Sequence, residues 1–130
     1  METNLFYIKV VGIIFNTATR QVLVGKSKGD ENYSFLEGDL THEQELDKCI
    51  KDTVTDKTGY IVHNLGSIYS ENMLQDPTKV KLHFLCQIKG GEEKLGENVE
   101  ELIWIKPSKV EEKLNVELPS RLKEYITNLE

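Results

Sequence analysis

Three polar side chains fall on the apolar face of a predicted helix in the middle of the chain. Apolar residues recur there at helical spacing, and these are Leu46, Cys49, Ile50 and Val54. At about 100° per residue, Thr53 and Lys57 fall inside the apolar arc and Asp56 lies at its edge. We therefore expect these polar groups to point inward, where Lys57 would supply a point charge able to pair with a phosphate oxygen.

The same residues have a purely structural interpretation. Thr53 could hydrogen-bond back to its own helix. Lys57 could extend its ammonium group to solvent from the last helical turn, where a cation suits the helix dipole. The residues by themselves leave both interpretations open.

Length and composition restrict the class of protein. The chain has 130 residues, which predicts one domain spanning residues 1–130. It contains 16 Lys and Arg and 22 Asp and Glu, and the resulting net charge of −6 argues against nucleic acid as a partner. The longest apolar stretch, residues 10–15, is too short to span a bilayer, and the first residues lack the features of a signal peptide. We expect a cytoplasmic protein that does not enter a membrane.

The two cysteines and the histidines carry weaker signals. Cys49 lies on the apolar helix face and Cys86 on the apolar face of a predicted strand, so both are expected to be core thiols. No Cys/His spacing is typical of a zinc site.

The helix that carries the polar residues has signals at both ends. The sequence Thr41-His42-Glu43-Gln44 matches a capping box, and Gly59 is well placed as a left-handed terminator. These signals predict a helix over residues 43–58.

Strands are predicted on both sides of this helix. Apolar residues crowd the range 6–15 and recur at 22–24, on the two sides of a polar turn, which predicts a strand pair. Residues 13–15 are expected to be buried on both faces. Residues 79–89 alternate cleanly, with Lys81 and His83 on the face opposite Phe84. Further strands are predicted at 60–69 and 102–105, and a closing helix at 119–129.

This layout resembles that of the Nudix hydrolase family. The family signature is a Gly, five residues, a Glu, seven residues, and then Arg-Glu-aliphatic-x-Glu-Glu-x-Gly-hydrophobic. Anchored on Gly38 and Gly59, the chain aligns to it without a gap, with Val54 and Tyr60 also matching. The resemblance implies an α/β (α+β) fold, a Nudix-like α/β/α sandwich with a mixed central β-sheet.

The charged positions of the signature are not kept. Gln44 stands in place of the first Glu, Asp52-Thr53 in place of Arg-Glu, and Asp56-Lys57 in place of the paired Glu-Glu. At the four Glu positions of the signature, four negative charges are replaced by Gln44, Thr53, Asp56 and Lys57, whose charges sum to zero. Mg²⁺ prefers carboxylate oxygens. At about 4 Å and an effective dielectric constant of about 20, each unit-charge pair is worth roughly 4 kcal/mol, so an ammonium facing a divalent ion costs about twice that.

The resemblance therefore predicts a degenerate box and two competing functions. The first is a binding module for a nucleotide-like ligand or a protein partner, without the usual Mg-dependent diphosphate hydrolysis and with no cofactor or metal expected. Its candidate ligand-binding residues are Lys57, Asp56, Thr53, Gln44, Asp52, Glu37 and Gly38.

The alternative is an active pyrophosphohydrolase of nucleoside diphosphate derivatives with a non-standard Mg or Mn site. That site would use Asp56 and Asp52 with one acid of the stretch before the strand at 102–105, chiefly Glu100, with Glu97 and Glu101 as the other choices. An RNA-binding module of this fold would need a local positive groove, which the sequence does not indicate.

Overall fold

A six-stranded mixed sheet forms the centre of the protein in a computed structural model, which describes residues 7–41, 43–73 and 75–130. The strands are β1 Tyr7–Asn16, β2 Gln21–Ser27, β3 Leu36–Asp39, β4 Tyr60–Met73, β5 Asp76–Gly91 and β6 Val99–Ile105. The helices are α1 Leu46–Thr58, α2 Val110–Leu114 and α3 Ser120–Thr127, with a single 3₁₀ turn, Pro107–Lys109, before α2.

The sheet has the order β4-β5-β1-β2-β6. Strand β1 runs parallel to β5 along most of its length. Its other edge is shared, because β3 pairs antiparallel with its first half and β2 with its last residues. The mixed central sheet predicted from the sequence is confirmed, whereas the short strand β3 and helix α2 were not predicted.

Two apolar clusters fill the two sides of the sheet. Helix α1 buries Cys49, Ile50 and Val54 against one face, together with Ile14 and Phe84. Helices α2 and α3 cover the other face, where Val110, Leu114, Leu122 and Ile126 meet Ile13 and Phe15. Alternation along β1 sends Ile13 and Ile14 into different clusters. Burial of residues 13–15 on both faces and the α/β/α layering are thereby confirmed.

The turn between β1 and β2 lies where the sequence predicts it. The side-chain oxygen of Asn16 accepts the amides of Ala18 (2.9 Å) and Thr19 (3.2 Å), and Arg20 closes the turn with a φ of 57°. Strand β1 begins at Tyr7, and residue 6 of the predicted strand lies outside the described residues.

The predicted start of α1 is wrong, and its predicted end is confirmed. The helix begins at Leu46 after Glu45, without a side-chain cap. The Thr41 hydroxyl bonds the Gln44 side chain (3.2 Å) instead of a backbone amide of the first turn, so these residues form a separate turn and not a capping box. Gly59 ends the helix in the left-handed conformation, with a φ of 79°, and donates its N–H to the Thr55 carbonyl.

No helix that the structure describes is long and apolar enough to cross a membrane.

Candidate ligand site

Helix α1 contacts β3 at Gly38. A Cβ atom added to Gly38 would overlap the hydroxyl and methyl groups of Thr53. The match of Gly38 to the Nudix signature thus has a steric reason, since the helix can approach the strand this closely only where the strand has no side chain. Thr53 is half-buried and faces the sheet, as expected from its place in the apolar arc.

The last turn of α1 is covered by the loop between β5 and β6. The amide of Lys94 bonds the Thr58 carbonyl (2.8 Å) and the amide of Gly96 bonds the Lys57 carbonyl (3.1 Å). These bonds satisfy carbonyl groups that a helix end leaves unpaired. The side chain of Lys57 is half-buried, but Asp56 is exposed. The expected inward orientation of Asp56 is therefore wrong, because this residue at the edge of the apolar arc lies on the exposed side of the helix.

Asp52 and Gln44 are engaged locally. The Asp52 carboxylate lies 2.9 Å from the ammonium of Lys48, one helical turn earlier. Gln44 lies in the turn before the helix, where its side chain contacts Thr41. The structure therefore does not gather these two candidates with Asp56 and Lys57 into one polar cluster.

The acidic stretch before β6 is divided among different partners. Glu97 lines a pocket of about 310 Å³ that Asp56 also lines. Glu100 lies 3.8 Å from the ammonium of Lys26, and Glu101 accepts a hydrogen bond from the hydroxyl of Tyr33, which raises the pKa of that tyrosine. Of the three acids in the prediction, Glu97 thus shares a pocket with Asp56, whereas Glu100 and Glu101 contact other residues.

A metal site needs several ligand side chains close together. Within residues 7–41, 43–73 and 75–130, no three His, Cys, Asp or Glu side chains form a group able to hold a metal ion. Asp52, Asp56 and Glu100, the alternative metal ligands, are therefore not brought together by this fold.

A cavity of about 340 Å³ lies on the opposite side of the sheet from α1. Alternation along β3 points Glu37 into this cavity and Gly38 toward α1, which separates two predicted site residues onto two faces. The walls are the apolar residues Phe35, Leu114, Leu118 and Leu122, and the polar lining includes Tyr33, Glu37, Glu71, Lys81 and His83.

Opposite charges pair along the sheet side of the cavity. Lys81 lies 3.2 Å from the Glu37 carboxylate, and His83 Nε2 lies 3.9 Å from that of Glu71. His83 is only 4% exposed. Burial lowers its pKa, and the nearby Glu71 opposes that change. Its Nδ1 has no hydrogen-bond partner in the part of the chain that the structure describes.

The loop between α2 and α3 closes the cavity and is held by one side chain. The Glu111 carboxylate accepts the amide of Leu118 (2.8 Å) and pairs with the ammonium of Lys123 (2.7 Å). These contacts lower the pKa of Glu111, the Lys123 contact most. The loop wall therefore depends on an anchor that lies outside the cavity.

The sequence does not predict this cavity. Lys81 and His83 lie on the strand face opposite Phe84, as predicted, but the pattern assigned no role to two titratable groups on a central strand. Such residues facing inward on an internal strand are the signal that could have found the site. Cys49 and Cys86 are both buried, and burial raises the pKa of Cys86 to about 12, so their prediction as core thiols is confirmed.

Comparisons of the whole chain with known proteins find solved structures with a similar fold. No protein-family model matches the chain, and no curated protein matches it in sequence. A NUDIX hydrolase from Nitrosomonas europaea has a TM-score of 0.74 at 13% identity, covering 95% of this chain and 90% of that chain. A MutT structure, from work on Aliivibrio salmonicida and Vibrio cholerae, has a TM-score of 0.74 at 14% identity, covering 94% of this chain and 96% of that chain.

A third solved structure is an ADP-ribose pyrophosphatase from Streptococcus suis. It has a TM-score of 0.67 at 16% identity and covers 95% of this chain and 87% of that chain. At these identities the likeness concerns the arrangement of the backbone. The protein therefore has the Nudix fold.

Proposed function

We propose that this protein binds a phosphorylated, nucleotide-like ligand and does not carry out the usual metal-dependent diphosphate hydrolysis of its fold. The observation that carries the proposal is the exchange of charge along α1. An ammonium stands at Lys57, a hydroxyl packed on Gly38 stands at Thr53, and the Asp52 carboxylate is paired with Lys48. This donor set does not fit Mg²⁺, which prefers several carboxylate oxygens.

The cavity beside α2 and α3 is the proposed place for the organic part of the ligand. Its volume of about 340 Å³ and its mixture of apolar walls with a few polar groups suit a small molecule. His83 Nδ1, buried without a partner, is a group that a bound ligand could satisfy.

The phosphate contact is proposed at Lys57. One segment joins the two places, since Glu97 shares a pocket with Asp56 and Glu101 bonds Tyr33, which lines the cavity. Because the two places lie on opposite sides of the sheet, a ligand that contacts both must extend around the sheet edge at β6.

Calorimetric titration of ADP-ribose and of a nucleoside triphosphate tests the proposal. Binding should be about as tight in EDTA as in Mg²⁺ and should weaken as salt rises, because the contact is ionic. Hydrolysis of either compound should be absent or very slow. Binding that requires Mg²⁺, or rapid turnover, would contradict the proposal.

Two charge reversals locate the phosphate contact. Lys57→Glu should weaken binding, whereas Lys106→Glu, at an exposed position that leads into the opposite helical layer, should leave it unchanged. Lys48→Glu is a poor control, because it would also break the ion pair with Asp52. Equal losses from Lys57→Glu and Lys106→Glu would mean that the effect comes from overall charge.

Restoring the signature is the converse experiment. Gln44→Glu, Asp52→Arg, Thr53→Glu, Asp56→Glu and Lys57→Glu together should recover Mg²⁺ binding, measured by calorimetry. Because Gly38 lies against Thr53, the larger side chain must find room beside the strand, so folding of the variant is checked by circular dichroism.

One observation favours the hydrolase alternative. Asp56 and Glu97 line the same pocket, which places two carboxylates near the end of α1. If they form a non-standard Mn²⁺ or Mg²⁺ site, turnover of ADP-ribose should be measurable with the metal and abolished by Asp56→Asn and by Glu97→Gln. Glu100→Gln serves as the matched control, since Glu100 pairs with Lys26 instead.

A further inference from the structure

A separate pocket of about 290 Å³ lies at the end of the sheet where β1 turns into β2. Its aromatic lining comes from Phe15, Tyr60 and Trp104, and its polar lining includes Asn16 and Gln87. Among the described residues, none lines both this pocket and the cavity beside α2 and α3. The proposed nucleotide-like ligand therefore gives no account of it.

Two aromatic rings form a corner in this pocket. The ring centroids of Tyr60 and Trp104 are 6.1 Å apart and the ring planes meet at 65°. Both side chains are half-buried, so they pack on the core and still line the pocket. In this edge-to-face pair, a ring face that the other ring does not cover can line the pocket, and a cation over such a face lies within about 6 Å of its centroid.

A carboxylate lies beside the corner at Tyr60. The Tyr60 hydroxyl donates a hydrogen bond to Glu93 (3.2 Å), which makes the ring more electron-rich. Among the residues that the structure describes, no Lys or Arg lines the pocket, although the Arg20 guanidinium lies 5.7 Å from the centroid of Phe15, another residue of the lining. A ligand cation is therefore assigned to the rings of Tyr60 and Trp104 and not to Phe15, where it would meet a like charge.

We propose that the Tyr60–Trp104 pocket binds the head group of a small organic cation of the quaternary ammonium class. A quaternary ammonium is weakly hydrated and has no N–H groups to satisfy, so it loses little on entering a half-buried aromatic corner. An anion is disfavoured by Glu93 and by the net charge of −6. The volume suits a head group with a short chain.

Fluorescence provides a direct test, because Trp104 is the single tryptophan of the chain. The full-length protein is titrated with choline and with 3,3-dimethylbutan-1-ol, which has the same shape without the charge. Choline should change the emission in a saturable way and bind about tenfold more tightly than the neutral alcohol. Equal affinities, or a change that never saturates, would overturn the proposal.

Substitutions locate the site by calorimetry with choline. Tyr60→Leu should abolish binding, and Glu93→Gln should weaken it while leaving both rings in place. Tyr125→Leu, at an exposed position of α3, is the matched control and should have no effect. If Tyr60→Leu does not fold, Glu93→Gln still decides, because unchanged choline affinity in that variant contradicts the role of the carboxylate.

A peptide carrying trimethyllysine distinguishes the source of the head group. If the natural ligand is a free metabolite, choline should bind at least as tightly as the peptide. If the head group belongs to a protein, the peptide should bind more tightly. If neither probe binds, the proposed site is wrong.

Discussion

The two sides of the sheet are packed in different ways. On the α1 side, Gly12 and Gly38 let the helix approach the strands so closely that an added Cβ would contact Val54 or overlap Thr53. On the α2 and α3 side, two short helices and a loop leave a cavity of about 340 Å³ whose sheet side carries Glu37, Lys81 and His83. The side that carries the signature is close-packed, and the opposite side has room for a ligand.

This difference shows that signature spacing and binding space need not coincide. The spacing from Gly38 to Gly59 is kept where the helix must fit the sheet, which is a requirement of packing. The cavity depends on the lengths of α2, α3 and their loop, which the signature does not include. A chain can therefore keep the scaffold of the fold while the chemistry of its helix changes.

Shortening a buried side chain on each side should have the largest effect. Ile50→Ala is expected to lower the free energy of unfolding by about 3–5 kcal/mol, because the close-packed side chains around it cannot move in to fill the space left by the removed atoms. Leu122→Ala, a fully buried residue that lines the cavity, should cost nearer to 2 kcal/mol, since its loop wall can move inward. Urea unfolding of both variants measures the difference. A larger loss from Leu122→Ala would reverse the comparison.

Adding one methyl group between α1 and β3 should have the next largest effect. Gly38→Ala is expected to destabilise the protein by about 1–3 kcal/mol through its overlap with Thr53. Gly90→Ala, where a Cβ would meet no atom within 4 Å, is the control and should change stability little. Combining Gly38→Ala with Thr53→Ala should recover most of the loss, and a strictly additive pair would disprove the contact.

Loosening the cavity wall should have a smaller, local effect. Glu111→Gln removes the negative charge that pairs with Lys123 and weakens the hydrogen bond that the Leu118 amide donates to this side chain. Faster hydrogen exchange of that amide is expected, with α1 amides unchanged. Because the Glu111 pKa is lowered in the fold, its stabilisation is present above the ordinary pKa of Glu and is lost as pH falls below about 4.3. Glu112→Gln, at an exposed neighbouring position, is the control.

The smallest expected effect is a pH dependence from His83. Burial lowers its pKa, so between that value and the ordinary histidine value of about 6.5 the unfolded chain binds a proton that the folded chain does not. Stability should therefore fall as pH drops below about 6.5. Burial is the largest cause of the lowered pKa, Glu71 and Glu37 oppose it, and Lys81 adds to it.

Urea midpoints at pH 7.5 and pH 5.5 measure this effect. His83→Gln should flatten the difference between the two pH values, and His63→Gln, at an exposed position of β4, should not. If the two urea midpoints of His83→Gln still differ as much as those of the unsubstituted protein, the pH dependence comes from other groups.

The sequence by itself determined the features that depend on local geometry. Alternation predicted β5, the run 13–15 predicted burial on two faces, and Gly59 predicted the end of α1, because each pattern is set by the backbone within a few residues. The gapless spacing from Gly38 to Gly59 also pointed to the Nudix fold, since that spacing fixes where a helix meets a strand. The absence of the usual carboxylates is likewise a property of the sequence.

Only the tertiary structure decided which groups meet. The pairing of β3 with β1 placed residues 36–39 in a strand, so that Glu37 and Gly38 face opposite sides of the sheet. The choice of Glu97 over Glu100 as the neighbour of Asp56 depends on how the loop before β6 crosses the end of α1. These outcomes depend on contacts between residues far apart in sequence, which no local pattern records.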